Sequence, residues 1–191
     1  VDGLEARFNN FEAGSFSETT KATFSADFEL GAEDGSSAEA VQAYYGFQID
    51  LNTSFTGEDA LDISIDAGNG VGSEFDLNST SDQLKVDGVA YTFPIGDKTT
   101  VFVGDSMDGS TLYSTACVYG GPSNNLDDCG NGNSAMAGGA GTAAGASYDL
   151  GSGFTVAVGY TGAGSSSSGL ATKESADVFG GQISYAADTY G

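Results

Sequence analysis

The sequence predicts an all-β protein: an antiparallel up-and-down sheet, about eight strands of a larger transmembrane β-barrel, with a short N-terminal helix. Three observations carry that expectation. Apolar and polar side chains alternate with a period of two through successive segments. The connections between those segments are alternately short and long, and 30 Gly against two Pro describe a turn-rich chain. A period of two places successive side chains on opposite faces of a strand, so each strand has one apolar and one wet face.

The chain opens differently. In "VDGLEARFNNFEAG", Val1, Leu4, Phe8 and Phe11 stand at a/d spacing, which predicts a short helix with a coiled-coil seam over residues 1–14. Fewer than two heptads do not hold alone in water, so this stretch is expected to be the end of something longer. Residues 15–191 are then expected to hold the barrel strands.

The first strand is expected over Thr20–Gly31, where Ala22, Phe24, Ala26, Phe28 and Leu30 oppose Lys21, Thr23, Ser25, Asp27 and Glu29. The second and third form a hairpin. Val41, Ala43, Tyr45, Phe47, Ile49 and Leu51 alternate with Gln42, Gly46, Gln48, Asp50 and Asn52; Leu61, Ile63, Ile65 and Ala67 alternate with Asp62, Ser64 and Asp66. Thr56-Gly57-Glu58-Asp59 joins them as a tight turn. The fourth strand, over Gln83–Phe93, changes parity between Val86 and Val89, as a bulge at Asp87-Gly88 would require. Val101 and Val103 mark the fifth strand, and Ala144, Ala146, Tyr148 and Leu150 the sixth. Phe154, Val156, Val158 and Tyr160 mark the seventh; Phe179, Ile183 and Tyr185 the eighth.

The links at 32–40, 69–82, 106–141 and 161–177 are long and polar, whereas those at 56–59, 94–98 and 151–153 are short. All long links therefore emerge at one end of the sheet, the arrangement of an outer-membrane barrel. The third long link carries both cysteines, and a link of that length is usually functional.

Composition excludes several functions. Five Lys and Arg stand against 27 Asp and Glu, a net charge of −22, so the basic footprint that nucleic acid needs is missing. There is no His, so a Ser/His/Asp or Cys/His site cannot be assembled and no enzyme is expected. Neither a metal nor a cofactor is expected: "DSMDG" at Asp105–Gly109 lacks the twelve-residue calcium pattern and its terminal Glu. Cys117 and Cys129, with no His or further Cys to complete a zinc site, are expected to form a disulfide, placing the chain in an oxidising compartment. Closing so short a loop would contribute roughly 3 kcal/mol.

The wet parity then suggests a conduit. Asp27, Glu29, Asp50, Asp62, Asp66 and Asp149, with Gln48, Lys21 and Lys85, are expected to line a lumen that draws cations and repels anions. The rival reading is a secreted or cell-surface acidic β-sandwich, an adhesin or structural coat protein. Alternation, acidity and disulfide suit it equally; the alternating link lengths do not.

Four segments, "VDGLEARFNNFEA" with "FSETTKATFSADFELG", "LNTSFTGEDALDISIDAGNG" and "YTFPIGDKTTVFVGD", resemble the major outer-membrane porins of cyanobacteria, grouped with carbohydrate-selective and iron-uptake porins. "LNTSFTG" and "FPIGDK" are the most specific parts. The resemblance implies a location in the outer membrane among its lipids, passive diffusion of ions, sugars or other small hydrophilic solutes, and a homotrimer. It also implies a cell-wall contact through a surface-layer-homology domain lying upstream and missing here, and a barrel of about sixteen strands, of which these residues would be the first half. In the large porins the third external loop folds into the lumen, which would make Asp127 and Asp128 constriction residues. One departure matters: where the family commonly carries basic residues after "SFTG", this chain has Asp62, Ser64 and Asp66, which argues against an anion preference.

Overall fold

The computed structural model of this 191-residue chain describes residues 19–32, 40–70, 77–114, 140–164 and 167–186. They form one eight-stranded antiparallel sheet in which every strand pairs with its sequence neighbour: β1 (Thr20–Gly31), β2 (Gln42–Thr53), β3 (Ala60–Gly68), β4 (Lys85–Ile95), β5 (Thr99–Met107), β6 (Gly141–Gly151), β7 (Phe154–Gly162) and β8 (Asp177–Tyr185). This is the up-and-down order expected from the alternation. No pairing joins β1 to β8 among the described residues, so the sheet is open. The helix expected over residues 1–14 and the Cys117–Cys129 disulfide lie outside the described residues.

Cross-strand partners occupy the same face, so the register sorts the side chains. One face carries Ala22, Phe24, Ala26 and Phe28 of β1 opposite Leu51, Ile49, Phe47 and Tyr45 of β2, and continues through Ile65, Ile63 and Leu61 of β3 to Val86, Val89 and Tyr91 of β4. On β5 to β8 it holds Val101, Val103, Ala144, Ala146, Tyr148, Val156, Val158, Tyr160, Phe179 and Ile183. The register slips between Ser64 and Ile65, where Gly88 and Val86 take adjacent partners and Asp87 is left over. That is the expected bulge: the extra residue restores Val89 to the apolar face.

Two elements differ from expectation in their bounds. The fourth strand runs from Lys85 to Ile95 rather than from Gln83 to Phe93. Its start is held back because Ser81 and Asp82 adopt left-handed conformations (φ 56° and 61°) and Asp82 N–H donates to Gly68 O at 3.0 Å, drawing this segment into the preceding link. Its end extends through Pro94, paired with Thr100, to Ile95, paired with Thr99. The first hairpin closes over Ser54–Asp59, longer than the tight turn expected.

On the apolar face the small Ala22 and Ala67 are buried, but the large side chains of the two edge strands are not. Phe24, Phe28, Leu30, Phe179 and Ile183 on the apolar face are 69–80% exposed. By contrast Ala90, Phe102, Ala143 and Ala157, all at most 5% exposed, belong to the opposite face.

Candidate functional site

The polar parity of β1, β2 and β3 builds a regular wall. From the short-turn end upward, the cross-strand rungs are Lys21–Asn52–Asp62, Thr23–Asp50–Ser64, Ser25–Gln48–Asp66, Asp27–Gly46–Gly68 and Glu29–Tyr44. Each rung contains one carboxylate. Rungs on one face recur every second residue, so the carboxylates climb the wall in steps of roughly 7 Å. Neutral amides and hydroxyls orient them: Gln48 Nε2 and Ser64 Oγ donate to Asp50 Oδ1 at 2.7 and 2.6 Å, and Asn52 Nδ2 donates to Asp62 Oδ1 at 2.5 Å.

All nine residues expected on the lumen side therefore share one face, but they are not equivalent. Lys21, Asp27 and Asp62 are exposed, Glu29, Gln48 and Asp50 half-buried. Asp66 is 8% exposed, with Lys85 as its partner on β4. Asp149 stands apart on β6, opposite Thr155, where its N–H donates to Lys98 O at 2.9 Å beside a short turn. Asp127 and Asp128 lie outside the described residues. Among the described residues no group of three or more His, Cys, Asp or Glu could hold a metal ion.

Two long links fold onto this same face, and glycines in the strands make room for them. The link after β3 lays Asn78 over the registered pair Gly46 and Gly68: a Cβ on Gly68 would stand 2.2 Å from Asn78 O. Asn78 Nδ2 donates to Phe47 O at 2.9 Å and Gly68 N–H donates to Thr80 Oγ1 at 2.9 Å. The link after β5 does the same on β7 and β8. Gly109 N–H donates to Thr161 Oγ1 at 2.7 Å, and a Cβ on Gly159 would meet Gly109 O at 1.8 Å. Tyr113, 7% exposed, packs on Ala157 with Val178 beside it. Ser114 then bonds to β8, donating its N–H to Gln182 Oε1 at 2.7 Å while Gln182 Nε2 donates to Ser114 O at 2.9 Å; its hydroxyl lies 3.1 Å from that of Ser184. From the level of Thr161 to that of Ala157 the segment descends on the order of 13 Å along the wall, at the usual rise per strand residue. Asp108–Ser114 thus runs along the polar face of β7 and β8 from the long-link end toward the short turns.

Sequence reasoning missed Asp59. In the Ser54–Asp59 turn its Oδ1 accepts from Ser54 Oγ, Phe55 N–H, Thr56 N–H and Thr56 Oγ1 at 2.8–3.0 Å, and its Oδ2 accepts from Tyr91 Oη at 2.6 Å. The Tyr91 hydroxyl, joined by the Thr56 N–H and the Ser54 and Thr56 hydroxyls, holds this carboxyl well below the usual carboxylate range, against the opposing effect of burial.

Tyr91 belongs to a further pattern. On the apolar face aromatic side chains gather at the two ends of the strands: Phe55, Tyr91 and Phe93, with Phe154 and Tyr185, toward the short turns, and Tyr45 with Phe28, and Tyr160 with Phe179, toward the long links. The rows between are mostly Ile, Leu, Val and Ala, with Phe24 and Phe47 among them. Tyr45, Tyr91 and Tyr160 each donate their hydroxyl to an aspartate at or beyond a strand end: Asp82 at 3.0 Å, Asp59, and Asp177. Each therefore keeps an apolar ring on the sheet and a polar tip at its margin.

No known protein-family profile matches the chain, and no solved structure is significantly similar to it. It is similar to an uncharacterized protein of the cyanobacterium Nostoc sp. strain PCC 7120, 38% identical over 101 residues. That alignment takes in 50% of this chain but 17% of the relative, so the matched region is a minor part of a longer protein.

Proposed function

We propose that these residues are part of an outer-membrane porin, a water-filled channel through which small hydrophilic solutes diffuse passively, with cations favoured. One observation carries the reading: the large side chains Phe24, Phe28, Leu30, Phe179 and Ile183 of the apolar face are 69–80% exposed, whereas the two folded links lie on the polar face, where Phe102, Ala143, Ala157 and Thr161 are buried. A β-sandwich buries its apolar faces against each other. A membrane barrel does the reverse, facing its apolar band to lipid and its polar parity to the lumen.

The aromatic clusters support the same orientation. Tyrosine rings at both margins of an apolar band, with hydroxyls on carboxylates outside it, suit the two membrane–water interfaces. A groove of about 520 Å³, lined by Val101, Val103, Ala146, Val158 and Phe179 over Gly145, interrupts this face and is apolar enough for an acyl chain. On the other face, carboxylates stepping up β1, β2 and β3 create a negative potential along the path and so raise the local cation concentration. The Asp108–Ser114 segment narrows that path from the β7–β8 side. The open sheet leaves the rest of the lumen to strands supplied by a longer protein, as the length of the Nostoc relative allows.

The test is detergent dependence followed by reconstitution of the full-length protein. A porin needs detergent to stay in solution and gives stepwise currents in a planar bilayer. A protein monodisperse without detergent and electrically silent would restore the sandwich.

A further inference from the structure

We infer that Gln182 is a positioning residue that fixes how far the Asp108–Ser114 segment stands off the channel wall, and so sets the free cross-section for solute beside it. The inference rests on the channel reading above and concerns the size limit of that channel.

The argument starts from the geometry of a carboxamide. Gln182 offers Ser114 one acceptor and one donor at once: Ser114 N–H donates to Oε1 and Nε2–H donates to Ser114 O. The side chain copies the edge of a neighbouring β-strand and binds both the backbone N–H and the C=O of one residue of the link. No other side-chain type except Asn can do this, since a carboxylate has no donor and a lysine no acceptor. The Ser114 and Ser184 hydroxyls add a third contact one alternate residue further along β8.

These bonds are made at the far end of the segment. Gly109 is held near the top of the wall by Thr161, at the root of the link, where chain connectivity already keeps it close. Ser114 ends the Asp108–Ser114 segment, so its attachment decides whether that segment lies along the wall or stands off it. Ala157, the partner of Gln182 on β7, is small enough to leave the space that Tyr113 fills. The depth of the link is therefore set by a small residue below it and by one bidentate side chain beside it.

The experiment uses the full-length protein in planar bilayers with Gln182→Leu, which keeps the bulk of the side chain and removes both bonds without changing charge. Loss of two hydrogen bonds raises the fraction of time the segment spends off the wall roughly tenfold. This is read as more frequent brief events of larger conductance, together with entry of larger neutral sugars in a liposome-swelling assay. The reversal potential in a salt gradient stays where it was, because the carboxylates are untouched. A second variant does not depend on that substitution folding. With Cys117 and Cys129 replaced by Ser, Ser114→Cys and Ser184→Cys are introduced together and oxidised; the cross-link forms and leaves the main conductance unchanged while abolishing the larger events. Wild-type event frequency and sugar cutoff in Q182L, or failure of the cysteine pair to cross-link, would overturn the inference. A wild-type protein that conducts no current would instead overturn the channel reading itself.

Discussion

Gly159 is the position where a single added methyl group tests the placement of the third link. A Cβ there would stand 1.8 Å from Gly109 O and 2.6 Å from Gly109 C, inside the 3.0 Å that real Cβ atoms essentially never show. The obstacle is backbone, so no rotamer change relieves it. Either the strand shifts, with the 1–3 kcal/mol typical of overpacking, or the segment lifts by more than 1 Å and surrenders the Gly109–Thr161 bond, about 1 kcal/mol. Gly181 supplies the control: a Cβ there meets Ala157 O at 3.6 Å and Val158 Cγ1 at 3.9 Å, ordinary contacts. Gly181→Ala is expected to be neutral, or stabilising by roughly 0.4–1 kcal/mol through the unfolded chain. Thermal unfolding of the full-length variants in detergent, followed by circular dichroism in the β band, measures both. G159A should melt clearly below wild type and G181A at or above it. Equal melting temperatures would show that the link does not rest on β7.

Asp59→Asn removes a carboxylate that accepts five hydrogen bonds in the Ser54–Asp59 turn. Because the folded pKa is depressed below the ordinary 3.8, the contribution of Asp59 is complete above that pH and is lost as pH falls below it. The wild type should therefore lose stability in acid more steeply than D59N, which should be weaker at neutral pH; parallel acid-unfolding curves would refute the role. Mass spectrometry of the unreduced protein should find Cys117 and Cys129 joined, and two free thiols would exclude the disulfide. Mass measurement of the full-length protein in detergent should give a trimer, and a monomer would reject that proposal.

Most of the sheet was legible because its signal is local. The alternation through β1, the parity change around Asp87-Gly88 and the lengths of the links are properties of neighbouring residues, and the structure places them accordingly. What was not legible depends on residues far apart in sequence. Thr161 and Gly109 stand 52 residues apart and Gln182 and Ser114 68 apart, and nothing in either pair announces the other. A signal was present all the same: Gly46, Gly68, Gly145 and Gly159 interrupt strands on the polar parity, and backbone or a ring lies close above each. Phe102 carries the same message in reverse, a fully buried ring on the polar face lying over Gly145. Of the candidate lumen residues, period two gave the shared face, but it could not tell exposed Asp62 from nearly buried Asp66, because that difference depends on what lies above each position.

The claim that the carboxylate wall lines a conducting path is tested most directly by the reversal potential of the full-length protein in a planar bilayer across a KCl gradient. The account predicts a potential of the sign set by potassium, shifted toward chloride when Asp50, Asp62 and Asp66 are replaced together by Asn. With steps of roughly 7 Å between rungs and a screening length of about 8 Å at physiological ionic strength, that shift should shrink as salt is raised. A potential set by chloride, or one that the triple substitution leaves unchanged, would contradict the account and take these residues out of the lumen.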